Sequence, residues 1–266
     1  MATYVFSDVH GHLATLERVL DRVSLTEDDA VYCLGDMIDR GPDPVGVLKL
    51  VRSLPNVQVL QGNHEDLMIS YLSSPDDGLA AANWSINGGM MTLSGLHDID
   101  EDEALDLIKW VASLGRSAQV EVSGRRYVMA HAGIRPRKAP HEGEWDEKAI
   151  GELLASQDPD DLVWIREEFW SVPTGLVNEK GEGPIVIAGH TPTPYLEGMT
   201  ELMDRPPYGD DGFAQMVRVG ACDETGGVAD RWDIDSGAAG GAGFGRVTFV
   251  RLDDGEEISE TIREGE

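Results

Sequence analysis

Five short apolar runs, each cut off by a turn of glycine, aspartate, asparagine or histidine, constrain this chain more than any other feature. The runs cover 2–6, 30–34, 57–60, 126–130 and 185–188. Apolar stretches of that length bounded by glycine read as strands buried in a sheet. Each run gives way to polar residues: Asp8 and His10 after the first, then Asp36 with Asp39 and Arg40, then Asn63 with His64, then His131, then His190. Beyond the first of these turns, Leu13, Leu16, Val19, Leu20 and Val23 keep helical spacing. Beyond the second, 42–54 does the same, with Val45, Leu48 and Val51 on its inner face. The polar residues therefore occupy loops between strand and helix, where α/β proteins carry their sites.

The densest of these turns is Gly35-Asp36-Met37-Ile38-Asp39-Arg40-Gly41. It joins two carboxylates to a guanidinium, so it can hold a cation and an anion side by side. Alone it would pass for a strand-to-loop turn with a solvated ion pair. Its repetition argues otherwise. Of seven histidines, four stand at or just after strand ends, leaving His12, His97 and His141 as helix-surface or loop residues. Imidazole and carboxylate donors without thiolates suit Mn²⁺, Fe or Zn²⁺, and the donors exceed the needs of one ion, so two divalent metal ions sharing Asp36 are expected.

The remaining segments have plainer texture. Residues 66–116 read as a helical insertion with its own small core, with a substrate-contacting lid as the alternative, interrupted by Asn83-Trp84-Ser85-Ile86-Asn87-Gly88-Gly89-Met90-Met91. The sheet resumes at 117–122 and 126–130, joined through Ser123-Gly124 as in a hairpin. A helical region spans 146–166, and 192–216, rich in proline and acidic residues, reads as a surface excursion with a short strand at 217–219. Closing strands are expected at 231–234, 246–252 and 258–262. The glycines at 237, 240, 241, 243 and 245 lead into a strand and read as a flexible turn, not a phosphate cradle. One domain over 1–266 accommodates all of this.

Charge and cysteine usage narrow the partners. With 49 acidic against 21 basic residues the net charge is −28, which repels nucleic acid and anionic membranes. Two cysteines and the lack of a basic-then-apolar leader point to a cytoplasmic protein without a disulfide framework.

Taken together, Asp8-Val9-His10-Gly11, Gly35-Asp36 through Asp39-Arg40-Gly41, Gly62-Asn63-His64-Glu65, His131-Ala132-Gly133 and Gly189-His190-Thr191 resemble the successive signatures of calcineurin-like metallophosphoesterases. Within that superfamily the chain is similar to the phosphoprotein phosphatases and their small bacterial and phage members. The resemblance implies an α/β fold with a central β-sandwich flanked by helices and a dinuclear metal site at the C-terminal ends of the strands. It implies Asp8 and His10 on one metal, Asp36 as the bridge, and Asn63, His131 and His190 on the other, with Mn²⁺ the first choice of ion. It further implies His64 as general acid, Asp39 orienting it and favouring its protonated form, and Arg40 holding the phosphate together with Asn63 and Arg166. For Arg166 a helix-end salt bridge is the alternative. Asp235 resembles a structural carboxylate near the site, not a ligand.

The implied reaction is direct attack of a metal-bridging hydroxide on phosphorus, without a phosphoenzyme; Cys33 lies in a buried strand and lacks a phosphate-cradling loop. The expected substrate is a phosphorylated protein or a small phosphorylated molecule, with phosphoserine and phosphothreonine favoured because the positions of Asp39 and Glu65 resemble the protein phosphatases. Symmetrical hydrolysis of dinucleoside tetraphosphates is the alternative.

Overall fold

Three strand-and-helix units open the computed structural model, which describes residues 1–138, 141 and 143–266. They are β1 (Thr3–Phe6) with α1 (Leu13–Val23), β2 (Ala30–Cys33) with α2 (Pro44–Ser53), and β3 (Val57–Val59) with α3 (Asn63–Ser73). The second helix starts later than its periodicity suggests. Asp43 caps it by accepting from Gly46 N–H at 2.7 Å, and Pro44 fills the first turn, where a missing N–H costs nothing. Three further helices come next, α4 (Gly78–Ile86), α5 (Met90–His97) and α6 (Glu101–Ala112). The antiparallel pair β4 (Ser117–Val122) and β5 (Arg125–Ala130) succeeds them. Ser123 and Gly124 both take positive φ, 52° and 79°, the turn whose twist matches a right-handed hairpin.

The chain continues through α7 (Glu147–Ala155), α8 (Asp161–Trp164), α9 (Glu167–Trp170) and β6 (Ile185–Ala188). It closes with β7 (Val217–Val219), β8 (Arg231–Asp233), β9 (Arg246–Arg251) and β10 (Glu256–Thr261). Two five-stranded mixed sheets result, in the orders β10-β9-β1-β2-β3 and β4-β5-β6-β8-β7. In the first, β1, β2 and β3 are parallel; in the second, β5, β6 and β8 are parallel.

Alternation along the strands builds the sandwich. Val5, Leu34, Leu60 and Val250 from one sheet meet Tyr127, Met129, Ile185 and Ile187 from the other in a single buried cluster. The outward residues Phe6, Val31 and Cys33 pack under α1 and α2, while Val128, Ala130, Val186 and Ala188 pack under α7 to α9. Both sheets are thus apolar on both faces, which is why their strands read as continuous apolar runs.

Four expectations need correction. The insertion has no separate core: Trp84, Leu96, Ala104, Leu107 and Val111 belong to the same cluster as Phe6 and Val45. The helical region at 146–166 is broken between α7 and α8, where Pro159 has no N–H for a helical ladder and disfavours helix at the residue before it. The segment 192–216 is not simply surface, because Leu196, Ala214 and Met216 are fully buried. His12 is buried too, its Nδ1 2.8 Å from the Glu266 carbonyl. The glycine-rich stretch does form a turn, a single 3₁₀ turn at Ala238–Gly240 ahead of β9. Among the described residues no helix is long and apolar enough to cross a membrane.

Candidate metal centre

The parallel strands of both sheets end at the same rim, and their loops bring the predicted residues into one buried cluster. Asp36 stands at its centre. Its Oδ2 lies 3.6 Å from His10 Nε2, 3.9 Å from His64 Nε2 and 3.5 Å from His131 Nε2. Asp8 Oδ1 is 3.9 Å from His10 Nε2. On the other flank, Asn63 Oδ1 sits 2.9 Å from His131 Nε2 and 2.8 Å from His190 Nδ1. Two triads emerge, His10-Asp36-His64 and Asp36-His131-His190, sharing one carboxylate.

This donor set fits cations. The Nδ1–H of His10 donates to the Ile38 carbonyl at 3.1 Å, and that of His131 to the Leu34 carbonyl at 3.0 Å, so each Nε2 keeps a lone pair. Those lone pairs face carboxylate and amide oxygens, acceptor against acceptor, an arrangement that repels unless a cation lies between. Around an ion with bonds of about 2.1 Å, neighbouring donors stand about 3.0–3.5 Å apart, close to the spacings found here. His190 Nε2 is buried without a hydrogen-bond partner among the described residues.

The electrostatics agree. Burial pushes Asp8 well above the usual carboxylate range, helped by the nearby charge of Asp235. Burial likewise raises Asp36, with Asp8 and Glu65 adding to it. Burial lowers His131 to about 3 and holds His10 and His190 well below the ordinary imidazole value. The imidazoles are therefore neutral and ready to ligate, while the carboxylates require a compensating positive charge.

Backbone geometry aims these groups. Asp8, His10, Asp36, Asp39, Arg40 and His190 all take left-handed φ between 46° and 69°, a conformation that non-glycine residues adopt at a cost and that clusters at functional sites. Two glycines give the carboxylates room: a Cβ on Gly62 would collide with Asp36 Oδ1, and one on Gly189 with Asp8 Oδ2. Glu65 then ties the turns together, accepting from the N–H groups of Asp36, Met37 and Gly62 at 2.8–2.9 Å.

The remaining predicted residues are also here. His64 Nδ1 is 2.6 Å from Asp39 Oδ2, and its Nε2 is 3.2 Å from Arg40 Nη2. Arg166 is half-buried, and its charge is felt at His131, His190, Asp233 and Asp235. Among the described residues, the helix-end salt bridge weighed for Arg166 does not form. In a chain of such acidity, neither Arg40 nor Arg166 pairs with a carboxylate among the described residues. Asp235 is buried beside Asp8 and pushed up to about 6 by burial, as a supporting carboxylate would be. Burial also pushes the Cys33 thiol up, far from a nucleophilic thiolate.

Three further residues contribute that the strand-end pattern does not single out. Ser7 donates to Asp8 at 2.5 Å. Trp84 and Thr92, from the helical insertion, donate to the Asp39 carboxylate at 3.0 Å and 2.5 Å. The Asn-Gly-Gly step after Trp84 was their one signal, since it marks a tight turn inside a helical stretch.

A two-sheet sandwich with paired histidine–carboxylate triads at one strand rim defines a metal-dependent phosphoester hydrolase. The family model described as calcineurin-like phosphoesterase matches residues 1–218, and the chain belongs to that family. Among curated relatives, the symmetrical bis(5'-nucleosyl)-tetraphosphatase of Erwinia tasmaniensis is 35% identical over 141 residues, 52% of this chain and 46% of that one. The protein of the same name from Pectobacterium carotovorum subsp. carotovorum is 36% identical over 140 residues, 52% of this chain and 45% of its own. The chain thus spans about half the length of the curated relatives it matches. A crystal structure provisionally assigned as a diadenosine tetraphosphatase shares the fold, with a TM-score of 0.57 and 17% identity over 99% of this chain and 94% of that one.

Proposed function

We propose that this phosphoesterase hydrolyses dinucleoside tetraphosphates symmetrically, and not phosphoserine or phosphothreonine in proteins as first expected. The observation that carries the reading is the pair of guanidinium groups that have no carboxylate partner among the described residues, one beside each triad: Arg40 against His64 and Arg166 near His131 and His190. A polyphosphate carries negative charge on both sides of the bridge to be cut, and an arginine on each side matches it bidentately. The names of the half-length relatives point to the same substrate. Trp164, 40% exposed, adds an aromatic face beside His190, with ring centroids 5.8 Å apart.

Asp8, His10 and Asp36 would hold one divalent cation, and Asp36, Asn63, His131 and His190 a second; of the ions such donors suit, we propose Mn²⁺. Bound there, the pair would polarise the phosphoryl oxygens and lower the pKa of a water. The chain's own residues do the rest. Arg40 and Arg166 clamp the phosphates, which aligns the bridge with the cluster. His64, held at Nδ1 by Asp39, presents Nε2 beside Arg40 to protonate the leaving oxygen.

The test is a rate comparison with Mn²⁺ present. Diadenosine tetraphosphate should yield ADP as the sole nucleotide product, with kcat/KM at least about 100-fold above that for a phosphothreonine peptide. Faster turnover of the peptide, or release of ATP and AMP from the nucleotide, would overturn the reading.

A further inference from the structure

The Trp84-to-Met91 segment packs directly onto the turn that carries Asp39 and Arg40. The indole Nε1–H of Trp84, near the end of α4, reaches both Asp39 oxygens at 3.0 Å and 3.2 Å. Thr92, in the first turn of α5, donates its hydroxyl to Asp39 Oδ1 at 2.5 Å and accepts the Asp39 N–H at 3.0 Å. Both side chains are buried, Trp84 at 3% exposure and Thr92 at 0%. The Asn-Gly-Gly connector between the two helices makes the approach possible. A Cβ on Gly88, which has φ 98°, would lie 2.9 Å from Arg40 Cγ, and one on Gly89 would strike the Trp84 ring at 2.5 Å. The Gly88 carbonyl in turn receives the Arg40 N–H at 3.4 Å.

We infer that Trp84 and Thr92 are positioning residues for the His64–Asp39 pair, so that the helical insertion holds the proton donor at its working angle. The inference rests on the reading of His64 as the acid. The carboxylate meets three groups at once, His64 Nδ1 at 2.6 Å and the two donors from the insertion. A carboxylate tethered only by His64 could rotate about its own bond, and the imidazole would rotate with it. With the indole and hydroxyl fixed by α4 and α5, Asp39 has one orientation, and His64 Nε2 is left facing Arg40. A group ordered by its neighbours before substrate arrives loses nothing to reorganisation during the reaction. The alternative is that the two donors merely satisfy a buried carboxylate, which would make them matter for folding alone.

Leaving-group dependence separates the two, because protonation is needed more as the leaving oxygen becomes more basic. The experiment compares phenyl phosphate with 4-nitrophenyl phosphate for wild type, Trp84→Phe, Thr92→Val, Thr92→Ser and His64→Asn, all with Mn²⁺. Trp84→Phe keeps an aromatic ring and removes the donor. It should lower kcat on phenyl phosphate about 10-fold, the loss expected for one hydrogen bond to a charged group, while 4-nitrophenyl phosphate loses less than about 3-fold and KM stays put. Thr92→Val should behave alike and Thr92→Ser should restore the wild-type pattern. Equal losses on both esters, or lowered thermal stability with kcat unchanged, would overturn the inference. If His64→Asn itself shows equal losses, the acid assignment fails and takes the inference with it; a leaving-group-dependent loss in His64→Asn alone sinks only the positioning role.

Discussion

The two sheets contribute unlike halves to the centre. The loops after β1, β2 and β3 bring Asp8, His10, Asp36, Asp39, Asn63 and His64, and almost every one is tied to its neighbours. Glu65 spans three backbone donors, Asp39 is held from three sides, and Asp8 takes both Ser7 and the His190 N–H. The loops after β5 and β6 bring His131 and His190, and the surroundings there are less complete. Among the described residues, His190 Nε2 and the Thr191 and Thr193 hydroxyls have no protein hydrogen-bond partner, and Arg166, like Arg40 in the first half, has no carboxylate partner. The donors of the first half are held by many of the protein's own hydrogen bonds, and fewer such bonds reach those of the second. On the proposed function, the first sheet fixes the acid and the shared carboxylate, while the second accepts a charged ligand.

The strongest test of that asymmetry is metal stoichiometry. Asp36 belongs to both triads, so Asp36→Asn should leave the protein with essentially no Mn²⁺ after gel filtration and reduce turnover on the order of 10³-fold or more. His190 belongs to one triad only. His190→Ala should keep about one ion per chain, because the other ligands are held without it. Elemental analysis of both variants decides the matter; two ions surviving in Asp36→Asn would remove it as the shared ligand.

The donors of both halves could be read from the sequence. They stand just past strand ends that apolar runs locate, and a metal restricts the residue types that can stand there, so Asp36, Asn63, His131 and His190 announce themselves locally. The clamp on Asp39 had no such signature. Trp84 lies 45 residues away and Thr92 53, and nothing in a helical stretch says which turn it will dock against. The insertion looked self-contained for the same reason: its apolar residues are indistinguishable from those of a separate core until Phe6 and Val45 are placed beside them. His12 was misjudged because its burial depends on residues near 266, far along the chain. The substrate is the part least legible in the sequence. Asp39 and Glu65 suggested a protein phosphatase, yet Asp39 contacts His64 and Glu65 ties down the Asp36 turn, contacts that do not distinguish one phosphoester substrate from another.

A second, smaller effect concerns protons. In the metal-free protein, burial raises Asp8 and Asp36, so both bind protons that the unfolded chain has already released; the stability they contribute is present at low pH and lost as pH rises through their folded values. Asp235, at about 6, places one such loss between the usual carboxylate range and neutrality. The lowered histidines act in the opposite sense. They stay neutral when folded but charge in the unfolded chain, so they cost stability as pH falls below the ordinary imidazole value, with His131 not charging until about 3. Bound cations cancel the carboxylate penalty and add none for imidazoles that are already neutral. The gap in Tm between Mn²⁺-loaded and chelated protein should therefore widen from pH 5 to pH 8. A gap that narrowed over that range would mean the first half does not carry the protons assigned to it.

The smallest effect expected lies on the second half and concerns the nucleoside. Trp164 packs edge-on against His190 at 5.8 Å yet leaves 40% of its surface exposed, two residues before Arg166. A large aromatic face left in water beside the His190 imidazole is suited to a flat base, since stacking one base on an aromatic side chain contributes about 1–3 kcal/mol. Trp164→Leu keeps an apolar group against His190 and removes the stacking face. It should raise KM for diadenosine tetraphosphate about 5- to 10-fold with kcat little changed, and leave both parameters for 4-nitrophenyl phosphate within about 2-fold. Metal content of the variant must match wild type, because a shifted His190 would lose its ion and depress both substrates together. If KM rises equally for the nucleotide and the aryl phosphate, Trp164 is packing for the histidine, and base recognition belongs to another part of the rim.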